Sequence, residues 1–193
     1  MNNCYLDAEA VITFFRMTGR KHIFITGSRG SGKSHLVNNM LKHMSDSFNL
    51  LQSHRTDTPQ VVIKSNLVAD NKEFVIGVPR TSGINPASKG NNMTIIEDGF
   101  INCAIPAIDT HLDTTPERLF VIDELGYLES SCIPFQKAVE KLLDNSHVLA
   151  VIRKQSTEFL NRICNRKDVL VIDIDNTFET LSCIIMASGM SKR

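Results

Sequence analysis

A glycine-spaced run closing on a lysine and a serine, Gly27-Ser28-Arg29-Gly30-Ser31-Gly32-Lys33-Ser34, is the stretch of this chain best suited to chemistry. It matches G-x-x-x-x-G-K-[ST] in full. Glycine permits dihedrals and a close backbone approach that a Cβ would block. Successive N–H groups, together with the free N–H groups of a following helix, can then converge on an anion. In such a loop Lys33 reaches the β- and γ-phosphates of a nucleotide, and the Ser34 hydroxyl ligates Mg²⁺. Residues 27–34, with His35 directly behind them, are the expected nucleotide-binding set.

A second chemical signal is Leu119-Phe120-Val121-Ile122-Asp123-Glu124. Four apolar residues running into two acids read as a central parallel strand ending at its carboxyl edge. Asp123 there can hold Mg²⁺ directly or through its waters. Glu124, one residue further, would project toward the γ-phosphate and could orient and activate a water. A third apolar run, Val148-Leu149-Ala150-Val151-Ile152, delivers Arg153-Lys154-Gln155 to the same edge. Arg153 or Lys154 could neutralise charge on the phosphates in the transition state.

These groups need a scaffold, and the chain supplies its pattern. Ile23-Phe24-Ile25-Thr26 reads as the strand entering the loop, and Leu36, Val37, Met40, Leu41 and Met44 form the stripe of the helix leaving it. Ala8, Val11, Ile12 and Phe15 predict a preceding helix over 7–18, with Asp7 as cap and Gly19 as stop. Phe135, Ala138, Val139, Leu142 and Leu143 predict another. Ser156 or Thr157 caps a helix bearing Phe159, Leu160 and Ile163, and Val169-Leu170-Val171-Ile172 is a further strand. Asn176 with Glu179 predicts the start of a last helix.

The middle, residues 46–99, is the least legible. Val61-Val62-Ile63 and Phe74-Val75-Ile76 read as a strand pair with Asp70-Asn71 as turn material. Pro79 to Asn92 reads as a long exposed loop, a lid or a plain connector, in which Arg80 and Lys89 could approach phosphates. Residues 100–113 look mainly helical, with Pro106 marking an irregularity.

The whole is expected to be one α/β domain over residues 1–193, a three-layer sandwich with a mostly parallel sheet. Residues 1–20 would form an N-terminal helical extension and residues 46–99 a variable insertion. The 193 residues, 42% hydrophobic and 22% charged, suit a globular protein with a proper core. Lys+Arg and Asp+Glu balance at 21 each, so no strong net field draws the chain to nucleic acid or an anionic membrane. Met1-Asn2-Asn3-Cys4 lacks a charged n-region and a long apolar run, and no segment approaches bilayer length. Five scattered cysteines without metal-site spacing suggest free thiols in a reducing compartment, so a cytoplasmic location is expected.

Taken in order, these motifs resemble a known family, the small P-loop nucleoside-triphosphatases of THEP type, or cancer-related nucleoside-triphosphatases. The usual signatures there are G-x-x-G-x-G-K-T-T and I-D-E-I-G-K-M-E. The counterparts here are Gly27 through His35 and Ile122-Asp123-Glu124-Leu125-Gly126-Tyr127-Leu128-Glu129. The likeness covers residues 22–45 and 117–181 and hardly touches the middle third. The resemblance implies a RecA-like or AAA-like P-loop sheet with a catalytic Glu after the Walker B Asp. It also implies Mg²⁺ dependence and hydrolysis of ATP, GTP and other nucleoside triphosphates with loose base selectivity. Lys33, Ser34, Asp123 and Glu124 keep their roles under it. His35 stands where a second Thr is usual, Tyr127 replaces a Lys, and Arg153 sits where a His is common. Two alternatives stand beside it: a P-loop kinase of a nucleoside, nucleotide or other small hydroxyl acceptor, and a nucleotide-driven switch or assembly ATPase acting on a protein or nucleic-acid partner.

Overall fold

In the computed structural model the described residues are 6–44, 47–80 and 93–176. Eight strands make one sheet: β1 (His22–Thr26), β2 (Phe48–Arg55), β3 (Val61–Ser65), β4 (Phe74–Pro79), β5 (Met93–Ile95), β6 (Leu119–Leu125), β7 (His147–Ile152) and β8 (Val169–Asp173). Their order across the sheet is β5-β4-β3-β2-β6-β7-β1-β8. The five strands from β2 to β8 in that order are mutually parallel, while β3, β4 and β5 add an antiparallel wing. The strand entering the glycine loop and the strand bearing Asp123 are therefore not neighbours. β7 lies between them.

Alternation along the strands feeds two cores. Ile23, Ile25, Val121, Leu149 and Val151 pack on one face with α1 (Ala8–Thr18) and α2 (Lys33–Met44). Phe24, Phe120, Ile122, Ala150 and Ile152 pack on the other with residues from the remaining helices. A strand buried on both faces must be apolar at every position, which is why β1, β6 and β7 read as continuous hydrophobic runs. Each fully buried Phe or Leu contributes roughly 2–3 kcal/mol of transfer free energy. Three layers result, as the sequence predicts.

The local signals act as expected. The Asp7 side chain accepts from Glu9 N–H at 3.3 Å, and Gly19 ends α1 at φ 63°. Of the two proposed caps for the helix at 158, it is Thr157 that accepts from Leu160 N–H, at 3.1 Å. β3 and β4 do form an antiparallel pair, with Asp70 in the left-handed region at φ 61° in the turn.

The helical stretch after β5 begins earlier than residue 100. It comprises α3 (Glu97–Gly99), a π-type segment (Phe100–Ala104) and α4 (Ile105–Thr114). Pro106 cannot donate a backbone hydrogen bond, and the irregular segment lies directly before it. α5 (Ile133–Asn145) and α6 (Glu158–Cys164) complete the second face. Pro79 belongs to β4, so the expected loop begins later; Lys89 and the rest of that loop beyond Arg80 lie outside the described residues, as does the last helix beyond Asn176. Among the described residues no helix is long and apolar enough to cross a membrane.

Candidate functional site

Five parallel strands end at one edge of the sheet, so whatever follows their last residues is gathered there. β1 delivers Gly27, β6 delivers Asp123 and Glu124, and β7 delivers Arg153 and Lys154. β8 delivers Asp175, and β2 overshoots with Ser53, His54 and Arg55. A cleft of about 720 Å³ is lined jointly by Gly27, Ser28, Arg29, Gly30, Lys33, Ser34, Asp123, Glu124, Arg153 and Lys154, among others. Two strand spacings, roughly 10 Å, separate the loop strand from the acid strand.

The glycine loop has the backbone its sequence requires. Gly27, Gly30 and Gly32 have φ of 155°, 76° and 93°. A Cβ on Gly27 would stand 2.7 Å from Ile174 Cγ1 and 2.9 Å from the Ser31 hydroxyl. The Ser31 Oγ is buried and, among the described residues, has no hydrogen-bond partner. Lys33 Nζ donates to Gly27 O at 2.9 Å and Ser28 O at 2.7 Å, curling its ammonium over the loop.

Across the cleft, Asp123 accepts from Gln52 Nε2 at 3.0 Å, its register partner on β2. Burial pushes the Asp123 carboxyl above its ordinary range, against that hydrogen bond, and Glu124 adds to the rise. The strand then bulges. Ile122 pairs with Ala150 and Leu125 with Ile152, so β6 carries one residue more than β7. Glu124 takes φ 88°, a left-handed conformation uncommon outside glycine. Bulges of this kind re-aim a side chain next to a site. Arg153 N–H donates to Leu125 O at 2.9 Å, and the Arg153 guanidinium Nε donates to Glu124 Oε1. Lys154 is ion-paired with Asp173 at 2.9 Å and with Asp175 at 3.1 Å.

Behind the bulge Glu129 is buried, and its Oε2 accepts from Gly126 N–H at 2.9 Å. Burial raises that carboxyl to about 7, against the backbone hydrogen bonds; Glu124 raises it further and Arg153 opposes. Asp175 accepts from both the N–H and the hydroxyl of Ser28, at 2.8 and 2.6 Å. Hydrogen bonds from Ser28 and Lys154 hold that carboxyl down to about 2.

The structure thus brings Gly27, Ser28, Arg29, Gly30, Lys33, Ser34, Asp123, Glu124 and Arg153 to one cleft. Ser31, Gly32 and His35 belong to the same loop and helix start. Gln52, Asp175 and Arg55 were not foreseen. Asp175 had a signal, since Asp173-Ile174-Asp175 repeats at β8 the acidic strand end of β6. Gln52 and Arg55 had none.

A family model described as NTPase matches residues 22–181. The chain belongs to the NTPase family. It is 26% identical over 155 residues to the nucleoside-triphosphatase THEP1 of Thermotoga sp. (strain RQ2), covering 79% of this chain and 86% of that protein. To the protein of the same name from Thermotoga maritima it is 23% identical over 154 residues, with 79% and 86% covered. Among solved structures it is similar to the crystal structure of THEP1 from the hyperthermophile Aquifex aeolicus. There the TM-score is 0.63 and the identity 18%, with 86% of this chain and 98% of that one covered. It is also similar to the solution structure of a human cancer-related nucleoside triphosphatase, at a TM-score of 0.59 and 20% identity, with 90% and 100% covered. At those identities the two structures carry the fold alone.

Proposed function

We propose that this NTPase-family chain is a Mg²⁺-dependent nucleoside-triphosphatase with loose base selectivity, releasing a nucleoside diphosphate and phosphate. The observation that carries the reading is the single cleft lined by both the glycine loop and the Asp123-Glu124 strand end. The donor set suits the cation. Asp123 is a half-buried carboxylate with one side-chain donor, and Ser34 lines the same cleft. Among the described residues no group of three or more His, Cys, Asp or Glu gathers to hold a metal. A sparse pair completed by phosphate and water is the kind of set Mg²⁺ accepts.

The backbone N–H groups of residues 27–35 hold the phosphates, and Lys33 exchanges its two loop carbonyls for phosphate oxygens. Ser34 and Asp123 would hold Mg²⁺, which when bound would neutralise charge on the phosphates. Arg153 occupies Oε1 of Glu124, leaving Oε2 for a water. As the water oxygen bonds to the γ-phosphorus, the bond from that phosphorus to the bridging oxygen breaks. Its electron pair leaves with the diphosphate, and the proton of the water passes to Glu124 and on to solvent. Loose selectivity accords with a sequence lacking a base-reading motif. The free thiols of Cys103, Cys132 and Cys164 support a cytoplasmic location, and the sheet linking the described residues supports a single domain over 1–193.

The test is phosphate release from ATP, GTP, CTP and UTP, with Mg²⁺ and with chelator. Comparable release from several triphosphates, abolished by chelator, is expected. Release from one base only, release in chelator, or transfer of the phosphoryl group to an added hydroxyl acceptor in place of phosphate release would each contradict a named part of the reading.

A further inference from the structure

Phosphoryl transfer spreads negative charge over the equatorial oxygens of the moving group, and preorganised cations aimed at that charge supply much of the catalysis. Among the described residues, the Lys and Arg side chains lining the cleft are Arg29, Lys33, Arg55, Arg153 and Lys154. Two of them are already engaged by carboxylates. Arg153 is held by Glu124, and Lys154 is bracketed by Asp173 and Asp175. Arg29 and Lys33 belong to the phosphate loop itself. Arg55 alone stands on the opposite wall with its charge uncommitted: among the described residues no hydrogen bond or ion pair engages its side chain.

Its placement is built into the sheet. Gln52 on β2 is level with Asp123 on β6, and β2 continues three residues further to Arg55. At about 3.3 Å per residue that carries Arg55 roughly 10 Å past the level of Asp123, over the carboxyl edge. β3 braces the overhang, with Arg55 paired to Val61 and His54 to Val62. A small recess beside the cleft is lined by Arg55, Glu124, Tyr127, Glu129 and Arg153, so Arg55 borders the side of the cleft where Glu124 lies. The charge of Arg55 is felt at the Tyr127 hydroxyl as well.

We propose that Arg55 is a catalytic residue of this chain, an arginine that engages the γ-phosphoryl oxygens of the bound triphosphate and stabilises their charge in the transition state. β2 carries this arginine past the edge, and the antiparallel wing that starts at β3 is then the device that braces it. An arginine suits the task because its planar fork can grip two phosphate oxygens at once. The inference rests on the triphosphatase reading above.

Arg55→Ala and Arg55→Lys, beside wild type, are assayed for kcat, KM and trapping of the nucleoside diphosphate with aluminium fluoride, a mimic of the planar phosphoryl group. Arg55→Ala is expected to lower kcat roughly 10²-fold or more. KM should stay within about threefold, and the trapped complex should weaken in step with kcat, as expected for a contact made only in the transition state. Arg55→Lys should fall between, and it carries the test alone if the alanine variant misfolds. A kcat within about threefold of wild type overturns the role, as does a raised KM with kcat and trapping intact. Wild type that releases no phosphate overturns the underlying reading instead, and that failure is visible before any variant is assayed.

Discussion

Glu129 makes a prediction about stability that runs against the usual expectation for a native carboxylate. It is 6% exposed, and its carboxyl rises from 4.5 to about 7 because burial outweighs the hydrogen bonds from backbone N–H groups. An unfolded chain ionises this group above pH 4.5, whereas the folded chain keeps it protonated until about 7. The unfolded state therefore binds fewer protons between those values, and stability falls as pH rises through them. Each pH unit of the rise carries about 1.4 kcal/mol, which gives an upper bound of about 3 kcal/mol. Glu129→Gln keeps an oxygen for Gly126 N–H and removes the titration. Urea unfolding of both proteins at pH 5, 6, 7 and 8 should show the glutamine variant gaining on wild type by up to about 3 kcal/mol across the range. The change in the difference is the quantity to follow, because other titrating groups cancel in it. Parallel stability curves would refute the argument and show that the hydrogen bonds offset the burial.

Acid lability should arise from two buried histidines. His22 is pushed down to about 4 by burial, despite Asp168 at 3.4 Å; burial also lowers His111, whose ring lies 2.7 Å from both Asn49 Nδ2 and Ser146 Oγ. Burial disfavours the charged form of both, and both take protons near 6.5 when unfolded, so the stability they lend is present above 6.5 and lost as pH falls below it, for His22 toward 4. Measured in the Glu129→Gln background, which lacks the opposing slope, the unfolding midpoint should fall steadily from pH 6.5 to 4.5; a flat profile would sink this account. Gly27→Ala should weaken nucleotide affinity at least tenfold in an equilibrium titration, since its Cβ would collide with Ile174 and Ser31. Unchanged affinity would mean the loop has another route to the same cradle.

Much of the site was legible because its parts obey local rules. The glycine run, the apolar strand closing on Asp123-Glu124 and the run before Arg153 each announce an element and its end, and parallel strands bring such ends to one edge. Asp7, Gly19, Thr157 and the Asp70 turn were readable for the same reason.

β2 was not. Phe48-Asn49-Leu50-Leu51-Gln52-Ser53-His54-Arg55 lacks β-branched residues, and its buried Asn49 looks like loop material until its bonds to His111 and Thr115 are seen. With β2 unread, Gln52 and Arg55 could not be placed beside Asp123, because their proximity depends on a pairing between distant segments. The bulge that turns Glu124 to φ 88° is likewise a property of two strands together. Arg153 was legible in position but not in partner, since nothing in one strand predicts its contact with Glu124.

The most direct test of the central claim is single-turnover phosphate release by Glu124→Gln beside wild type, with nucleotide affinity measured on both. Retained affinity with turnover reduced roughly 10²-fold or more is expected if Glu124 activates the attacking water. Turnover within a few-fold of wild type would contradict the mechanism at its core.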